Sequence, residues 1–292
     1  MNFCHAHWSK PMKIQRWGFE FDLHREVILY HYSLSVAYIK KLGQTIDLYT
    51  DSEGADLLGH LPYDNIYVVL DDMDDRIDYY NWAAGKIEAL KHMKLGDVYI
   101  DGDVFIKTQK CLDKIIGSKI YDGFFFGHEN PAQEGFMDMN IYEDYEILIS
   151  HYDYPENIQK YGPSGCNAGL ILFHNQEYKD DFINAYEYLL KQIINNPPIV
   201  ENDYDKRVCF DLIMEQRFLW ETGQKYNIEF LIDYWQRDED NIRNLNTQAN
   251  SIGVQHVIGE QKYSLLNKCI STLQKINPDI YQKSYEKLQS YI

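Results

Sequence analysis

Residues 98–106 read VYIDGDVFI, a short apolar run on each side of an Asp-Gly-Asp turn. The first run follows a helix predicted over 81–95, so Asp101 and Asp103 are expected at the carboxyl end of a parallel strand. Open α/β sheets bind their ligands at that edge. Two carboxylates one residue apart, with Gly102 allowing an unusual backbone between them, form an oxygen-rich site suited to Mg²⁺ or Mn²⁺ together with phosphate oxygens.

The surrounding sequence alternates between helical and strand-like periodicity. Helices predicted over 33–42 and 81–95 flank β-rich runs at 46–50 and 65–70. This alternation predicts an α/β fold with a mostly parallel sheet covered by helices, and the absence of a linker predicts one domain over 1–292. Further elements are expected at 123–127, 167–173, 176–194, 209–222, 228–232, 252–258 and, as helices interrupted at Pro278, in 263–292.

Composition limits the classes of protein and partner. The 292 residues are 45% apolar and 15% aromatic, which excludes disorder as the main description. With 28 basic and 45 acidic side chains the formal net charge is −17, so no nucleic-acid partner is expected. A phosphate-bearing ligand then requires a metal ion or a local lysine at its site.

Cysteine usage and hydropathy favour a soluble, cytoplasmic protein. The five cysteines form no C-x-x-C pair, which is typical of reduced thiols. The N-terminal residues do not have the pattern of a secretory signal, and no apolar run approaches the roughly 20 residues of a membrane span.

The D-x-D pattern alone is not specific. It occurs at 72/74, 101/103, 203/205 and 238/240, and only the pair at 101/103 directly follows a β run that itself follows a helix. The acidic segment 71–78 is predicted to be a solvated loop, and the aperiodic segment 128–163 is predicted to be a functional loop or lid.

A second element, His256-Val257-Ile258-Gly259-Glu260-Gln261-Lys262, has the form H-x-x-G-x-x-K. Imidazole is a suitable third ligand for Mn²⁺, glycine permits close approach of a loop to a ligand, and lysine neutralises a phosphate as a point charge. These residue types suit a site for a metal and a phosphate, but the element alone is not specific.

In this order the two elements resemble the GT-A fold glycosyltransferases, specifically the glycogenin-like retaining family 8. Residues 166–173 (CNAGLILF) resemble that family's apolar strand opened by Asn-Ala-Gly, and Glu215-Gln216 followed by Leu219 resembles its acidic-Gln helix. VYIDGDVFI is also similar to the D-x-D region of the family 32 capsular and mannosyl transferases. The family usually has Asp where this chain has Glu215, and Tyr263-Ser264 stands where Pro-Trp often closes its motif.

The resemblance implies a role for each matching residue. The metal would be held by Asp101, Asp103 and His256, and the donor's diphosphate and ribose would contact Asp101, Lys86, Gly259 and Lys262. The sugar pocket near the anomeric carbon would be lined by Asn167, Glu215 and Gln216. Residues 1–120 would form the nucleotide-binding half, 121–262 the acceptor and sugar half, and 263–292 C-terminal helices.

The expected reaction is Mn²⁺- or Mg²⁺-dependent transfer of a sugar from a nucleotide-sugar, with UDP as the favoured carrier, to a saccharide, lipid-linked or protein hydroxyl. It would serve the synthesis of surface polysaccharide or glycoconjugate. Retention would proceed by front-face attack, which the resemblance favours, or by double displacement through a nucleophile such as Glu215.

Two alternatives stay open at the level of sequence. One is a nucleotidyltransferase of related fold, although no Gly-rich phosphate loop follows the N-terminal residues. The other is a non-catalytic carbohydrate-binding or divalent-cation-binding protein. Residues 262–292 carry five lysines against one Asp and one Glu, so peripheral contact with an anionic membrane at its inner face is a further expectation.

Overall fold

A mixed β-sheet occupies the centre of the molecule, for which we analyse a computed structural model. The structure describes residues 1–13, 21–78, 81–129, 150–155, 164–197, 211, 213–235, 248–259 and 261–291. Within them, seven strands pair in the order β3-β2-β1-β4-β7-β6-β8. Their bounds are β1 Asn2–His7, β2 Thr45–Thr50, β3 Ile66–Val68, β4 Val98–Ile100, β6 Gly123–Glu129, β7 Gly165–Phe173 and β8 Ile228–Trp235.

Strand direction places one edge of this sheet at the candidate site. β1 pairs in parallel with β2 and β4, β2 with β3, and β6 with β8, whereas β7 is antiparallel to both of its neighbours. The carboxyl ends of all the strands except β7 therefore meet at the same edge. The predicted mostly parallel α/β sheet is confirmed. A second, two-stranded sheet pairs β5 Val104–Ile106 with β9 Val254–His256.

Helices cover both faces of the central sheet. In chain order they are α1 Phe21–Lys41, α2 Ser52–Leu58, α3 Ala83–His92, α4 Gln109–Gly117, α5 Gln176–Asn195, α6 Phe218–Gly223, α7 Gln261–Ser264, α8 Leu266–Ile276 and α9 Pro278–Gln289. A π-helical turn, Ile213–Arg217, precedes α6. None of the helices that the structure describes is long and apolar enough to span a bilayer.

Alternate residues of the central strand β4 face two separate hydrophobic cores. On β4, Val98 and Ile100 pack in the core that contains α1, α4, α8 and α9. Tyr99, between them, packs in the core that contains α3 and α5. This period of two is what a sheet buried on both faces requires.

Several predicted elements differ in extent from the observed ones. The helix expected at 33–42 begins earlier, at Phe21, and ends before Gly43, which has a left-handed φ of 69°. Pro278 separates the C-terminal helices as predicted and occupies the first position of α9. The central strand β1 is absent from the sequence prediction, because its polar residues conceal an almost fully buried strand.

Some predictions concern residues outside the described ranges. They include the D-x-D pairs at 203/205 and 238/240, Cys209, and most of the segment 128–163. The other four cysteines are buried free thiols, in agreement with the prediction.

Candidate metal and donor site

The Asp-Gly-Asp turn lies directly beyond the carboxyl end of β4. The backbone N–H of Asp101 donates to the carbonyl of Gly169 on β7 at 2.9 Å, and Val104 N–H donates to the Asp101 carbonyl at 3.0 Å. These bonds fix the turn against the sheet before β5 leaves it. The location agrees with the prediction for Asp101 and Asp103.

Strand β9 brings His256 to this turn across about 150 residues of sequence. His256 is opposite Val104 in the β5–β9 pairing, and Val257 N–H donates to the Asp103 carbonyl at 3.1 Å. The imidazole lies against the backbone of Gly169, where a Cβ atom would be only 2.5 Å from His256 Cε1. Position 169 therefore accepts only glycine while the histidine keeps this place.

Asp101, Asp103 and His256 offer three ligand atoms within 4.8 Å of one another. His256 Nε2 is 3.4 Å from Asp103 Oδ1 and 3.9 Å from Asp101 Oδ2. Asp103 Oδ1 is buried and accepts no hydrogen bond from the part of the chain that the structure describes. Such a buried orphan acceptor is costly unless a ligand satisfies it, and two carboxylates with one imidazole suit a cation such as Mn²⁺ or Mg²⁺.

In each carboxylate, one oxygen lies at the metal position and the other contacts a protein side chain. Asp101 Oδ1 accepts from Tyr99 OH at 2.5 Å and lies 3.0 Å from Lys86 Nζ. Asp103 Oδ2 is paired with Lys262. Burial alone would raise the pKa of Asp103, but Lys262 and His256 outweigh burial and hold this pKa well below its ordinary value. Asp103 is therefore ionised at neutral pH.

Lys86 joins the metal position to the predicted sugar pocket. Its side chain is 6% exposed, and its ammonium contacts Asp101, Glu215 and the carbonyl of Ala168, the last at 3.2 Å. Burial would lower the pKa of Lys86, but the charges of Asp101 and Glu215 raise it above its ordinary value. All three ammonium hydrogens thus have partners within the protein.

Glu215 lies in the π-helical turn and is 1% exposed. Burial raises its pKa to about 8, with Lys86 opposing the rise and Asp101 adding to it. Four residues earlier, Asp211 accepts from Ala83 N–H at 2.5 Å, at the start of α3. The segment that carries Glu215 is therefore bonded twice to α3, first through Asp211 and then through Lys86.

The remaining predicted residues border this group. Asn167 is buried, and its Oδ1 accepts from Gly169 N–H at 2.9 Å, beside the histidine ring. Gln216 places its backbone against Gly165 at the start of β7. Gly259 adopts a left-handed φ of 57°, which permits the tight turn between His256 and Lys262.

Gly102 has a different role from the predicted one. The described glycines with positive φ are Gly43, Gly96, Gly253 and Gly259, so the prediction of an unusual backbone at Gly102 is wrong. A side chain at this position is excluded by space, because the ring of Tyr32 lies against the Cα atom.

The sequence also gave little indication of Tyr99, Gly169 and Asp211. The signal for Tyr99 was its i, i+2 relation to Asp101, which puts both side chains on one face of a strand. The roles of Gly169 and Asp211 depend on contacts between distant segments, which the local pattern does not contain.

Comparisons with known proteins give a family and a distant structural similarity. No curated protein matches the chain. Solved structures that match include mouse xyloside xylosyltransferase 1 in its apo form, at 9% identity and a TM-score of 0.35, over 79% of this chain and 85% of that one. A similarity this distant assigns no activity. A family model covers residues 1–290, and the chain belongs to the family that it describes, the Family of unknown function (DUF6734).

Proposed function

We propose that this protein is a metal-dependent glycosyltransferase of the GT-A type, which moves a sugar from a nucleoside diphosphate sugar to a hydroxyl acceptor. The observation that carries the proposal is the convergence of Asp101, Asp103 and His256 at the carboxyl edge of the sheet, with a lysine on each carboxylate. The proposal treats the chain as one domain, which the family match over 1–290 supports.

The diphosphate would lie between the metal position and Lys262. The Lys262 side chain is 29% exposed, so its ammonium reaches Asp103 from the solvent side and can also donate to a phosphate oxygen. A bound Mn²⁺ or Mg²⁺ would neutralise negative charge that develops on the departing diphosphate. Lys86 would hold Asp101 in orientation and would act on the donor only through that carboxylate.

Glu215 has the properties of a positioning group more than those of a nucleophile. Attack on an anomeric carbon requires an ionised carboxylate that reaches the sugar. Glu215 is 1% exposed, contacts Lys86, and has a pKa that burial raises to about 8. These properties support retention by front-face attack, with Asn167, Glu215 and Gln216 bordering the sugar.

The experiment is a screen of nucleotide-sugars for hydrolysis with Mn²⁺, with the released nucleotide identified by mass spectrometry. We expect one donor to release its nucleoside diphosphate, and Asp103→Asn to abolish this release. Asp72→Asn is the matched control, because Asp72 belongs to an exposed D-x-D pair. Release of pyrophosphate would indicate a nucleotidyltransferase instead, and inertness of the metal-loaded protein toward every donor would indicate a binding protein.

The finer parts of the proposal concern donor, acceptor and location. UDP as carrier, and a saccharide, lipid-linked or protein acceptor in glycoconjugate synthesis, rest on the sequence motifs. Peripheral membrane contact in the cytoplasm would use the exposed Lys268, Lys275 and Lys283, since Lys262 and Lys287 pair with aspartates. Flotation with anionic liposomes tests this contact, and recovery of the protein only in the soluble fraction would remove it from the proposal.

A further inference from the structure

The Asp-Gly-Asp turn rests on a tyrosine of α1. A Cβ atom built at Gly102 would lie 2.2 Å from Tyr32 Cε2, so the ring is in direct contact with the backbone between the two aspartates. The Tyr32 hydroxyl donates to the carbonyl of Ala6 on β1 at 2.7 Å. The rings of His5 and His7 meet the tyrosine edge to face, with centroids 4.9 and 5.5 Å away. These contacts hold the ring in one orientation.

Ser35 follows Tyr32 by three residues on α1 and binds the other side of the Asp-Gly-Asp turn, which we call the metal turn (Asp101, Gly102 and Asp103). Its hydroxyl donates to the carbonyl of Val104, the residue after Asp103, at 2.8 Å. His5 Nε2 lies 3.0 Å from the same hydroxyl, and His5 Nδ1 lies 2.8 Å from Tyr63 OH. Because the Ser35 proton points to Val104, the serine must accept from His5 Nε2–H, and His5 Nδ1 must accept from Tyr63.

The result is a directional chain of hydrogen bonds from Tyr63 through His5 and Ser35 to the backbone of the metal turn. His5 and Ser35 are 0% and 1% exposed, so water does not offer alternative partners. Tyr32 and Ser35 thus support the turn from one helix face, the first by packing and the second by a hydrogen bond.

We propose that Tyr32 and Ser35 are positioning residues for metal binding, which keep Asp101 and Asp103 at the separation that one divalent cation requires. Both hydroxyls donate to backbone carbonyls instead of to a metal-ligating atom, and Tyr32 and Ser35 act through the backbone of the turn. The proposal rests on the metal site of the proposed function. Loss of such supporting residues typically weakens metal affinity about 10- to 100-fold.

The first test compares two buried serines of α1. Ser33 donates to Leu29 and contacts Ser284, away from the turn, so Ser33→Ala is the matched control for Ser35→Ala. Mn²⁺ affinity is measured by electron paramagnetic resonance, and thermal unfolding is measured alongside. We expect about tenfold weaker Mn²⁺ binding for Ser35→Ala and unchanged binding for Ser33→Ala. Wild-type Mn²⁺ affinity in Ser35→Ala, or equal losses of affinity in Ser35→Ala and Ser33→Ala, would overturn the role of Ser35.

The second test uses the contact between Tyr32 and Gly102. Gly102→Ala places a methyl group against the ring, so we expect weaker Mn²⁺ binding. Tyr32→Ala removes the ring that supports the turn and is also expected to weaken Mn²⁺ binding about tenfold. In the double variant Tyr32→Ala/Gly102→Ala the loss should be smaller than the sum of the two single losses, because both changes disrupt the same contact. Unchanged Mn²⁺ affinity of Tyr32→Ala, or additive losses in a folded double variant, would refute the proposed contact.

A comparison of wild type with Asp103→Asn separates this proposal from the proposed function. Equal Mn²⁺ binding by these two proteins would mean that the metal site itself is wrong. Loss of binding in Asp103→Asn together with normal binding in the Ser35 and Tyr32 variants would reject only the positioning role.

Discussion

Replacing Lys86 by Met is expected to destabilise the protein strongly, although the two side chains are similar in length and only one charge is removed. The Lys86 side chain is 6% exposed, and its ammonium contacts Asp101 and Glu215, of which Glu215 is 1% exposed. Removing one partner of a buried ion pair costs about 3–5 kcal/mol, because the remaining charge loses its compensation. We expect Lys86→Met to lower the free energy of unfolding by about that amount.

A second substitution distinguishes lost pairing from lost packing. In Lys86→Met/Glu215→Leu the buried carboxylate is gone, and apolar replacement of a buried ion pair is often close to neutral. We therefore expect the double variant to be more stable than Lys86→Met alone, with a coupling free energy of about 2–3 kcal/mol.

The assay is urea unfolding at pH 9, because burial raises the pKa of Glu215 to about 8 and both partners are charged above that value. Unfolding is followed by circular dichroism, and the slope against urea concentration is compared among variants. Lys91→Met is the control on the same helix, because Lys91 pairs with Glu88 and Glu187 but is 34% exposed, and such surface pairs contribute at most about 1 kcal/mol. The buried Lys86–Glu215 ion pair would be refuted by either of two results. One is a loss of unfolding free energy for Lys86→Met as small as that of the control, and the other is additive losses in the double variant.

Three further predictions concern pH, the diphosphate and the loop after β9. Burial lowers the pKa of His5 from 6.5 to about 3, so between pH 6.5 and pH 4 this residue is protonated only in the unfolded chain. The contribution of His5 to the unfolding free energy should therefore fall by about 1.4 kcal/mol per pH unit over that range, and His5→Gln should reduce the slope of unfolding free energy against pH by that amount in urea titrations. Lys262→Met should weaken binding of UDP with Mn²⁺ about tenfold or more in calorimetry, since a charged hydrogen bond contributes about 1.5–3 kcal/mol, whereas Lys268→Met should not. Gly259→Ala should cost about 1–2 kcal/mol because its φ is 57°, while Gly117→Ala, with open space and a φ of −69°, should be nearly neutral in the same melts.

The metal turn was the part of the site that the sequence predicted best. An apolar run that ends in Asp-Gly-Asp after a helix is a local pattern, and local pattern determines where a strand ends. His256 and Lys262 also belong to one short motif. Their approach to Asp103 depends on the β5–β9 pairing, which brings together residues about 150 positions apart and leaves no periodic signal.

The polar interior of the N-terminal half could not be predicted from the sequence. Strand β1 reads NFCHAH, and its histidines suggest a surface or loop. His5 is fully buried because Tyr63 and Ser35, from two other segments, satisfy both ring nitrogens. Hydropathy registers the polarity of a residue but not the partner that makes its burial acceptable. The same limit applies to Glu215 and Lys86, whose pairing follows from the packing of α3 on the π-helical turn.

Anomalous diffraction from crystals grown with Mn²⁺ and UDP would locate the cation and the diphosphate together. We expect one manganese peak bonded to Asp101, Asp103 and His256, with diphosphate oxygens completing its coordination and Lys262 contacting a phosphate. A bound nucleotide with manganese at other carboxylates, such as Asp72, or with no manganese between Asp101 and Asp103, would contradict the assignment of this site.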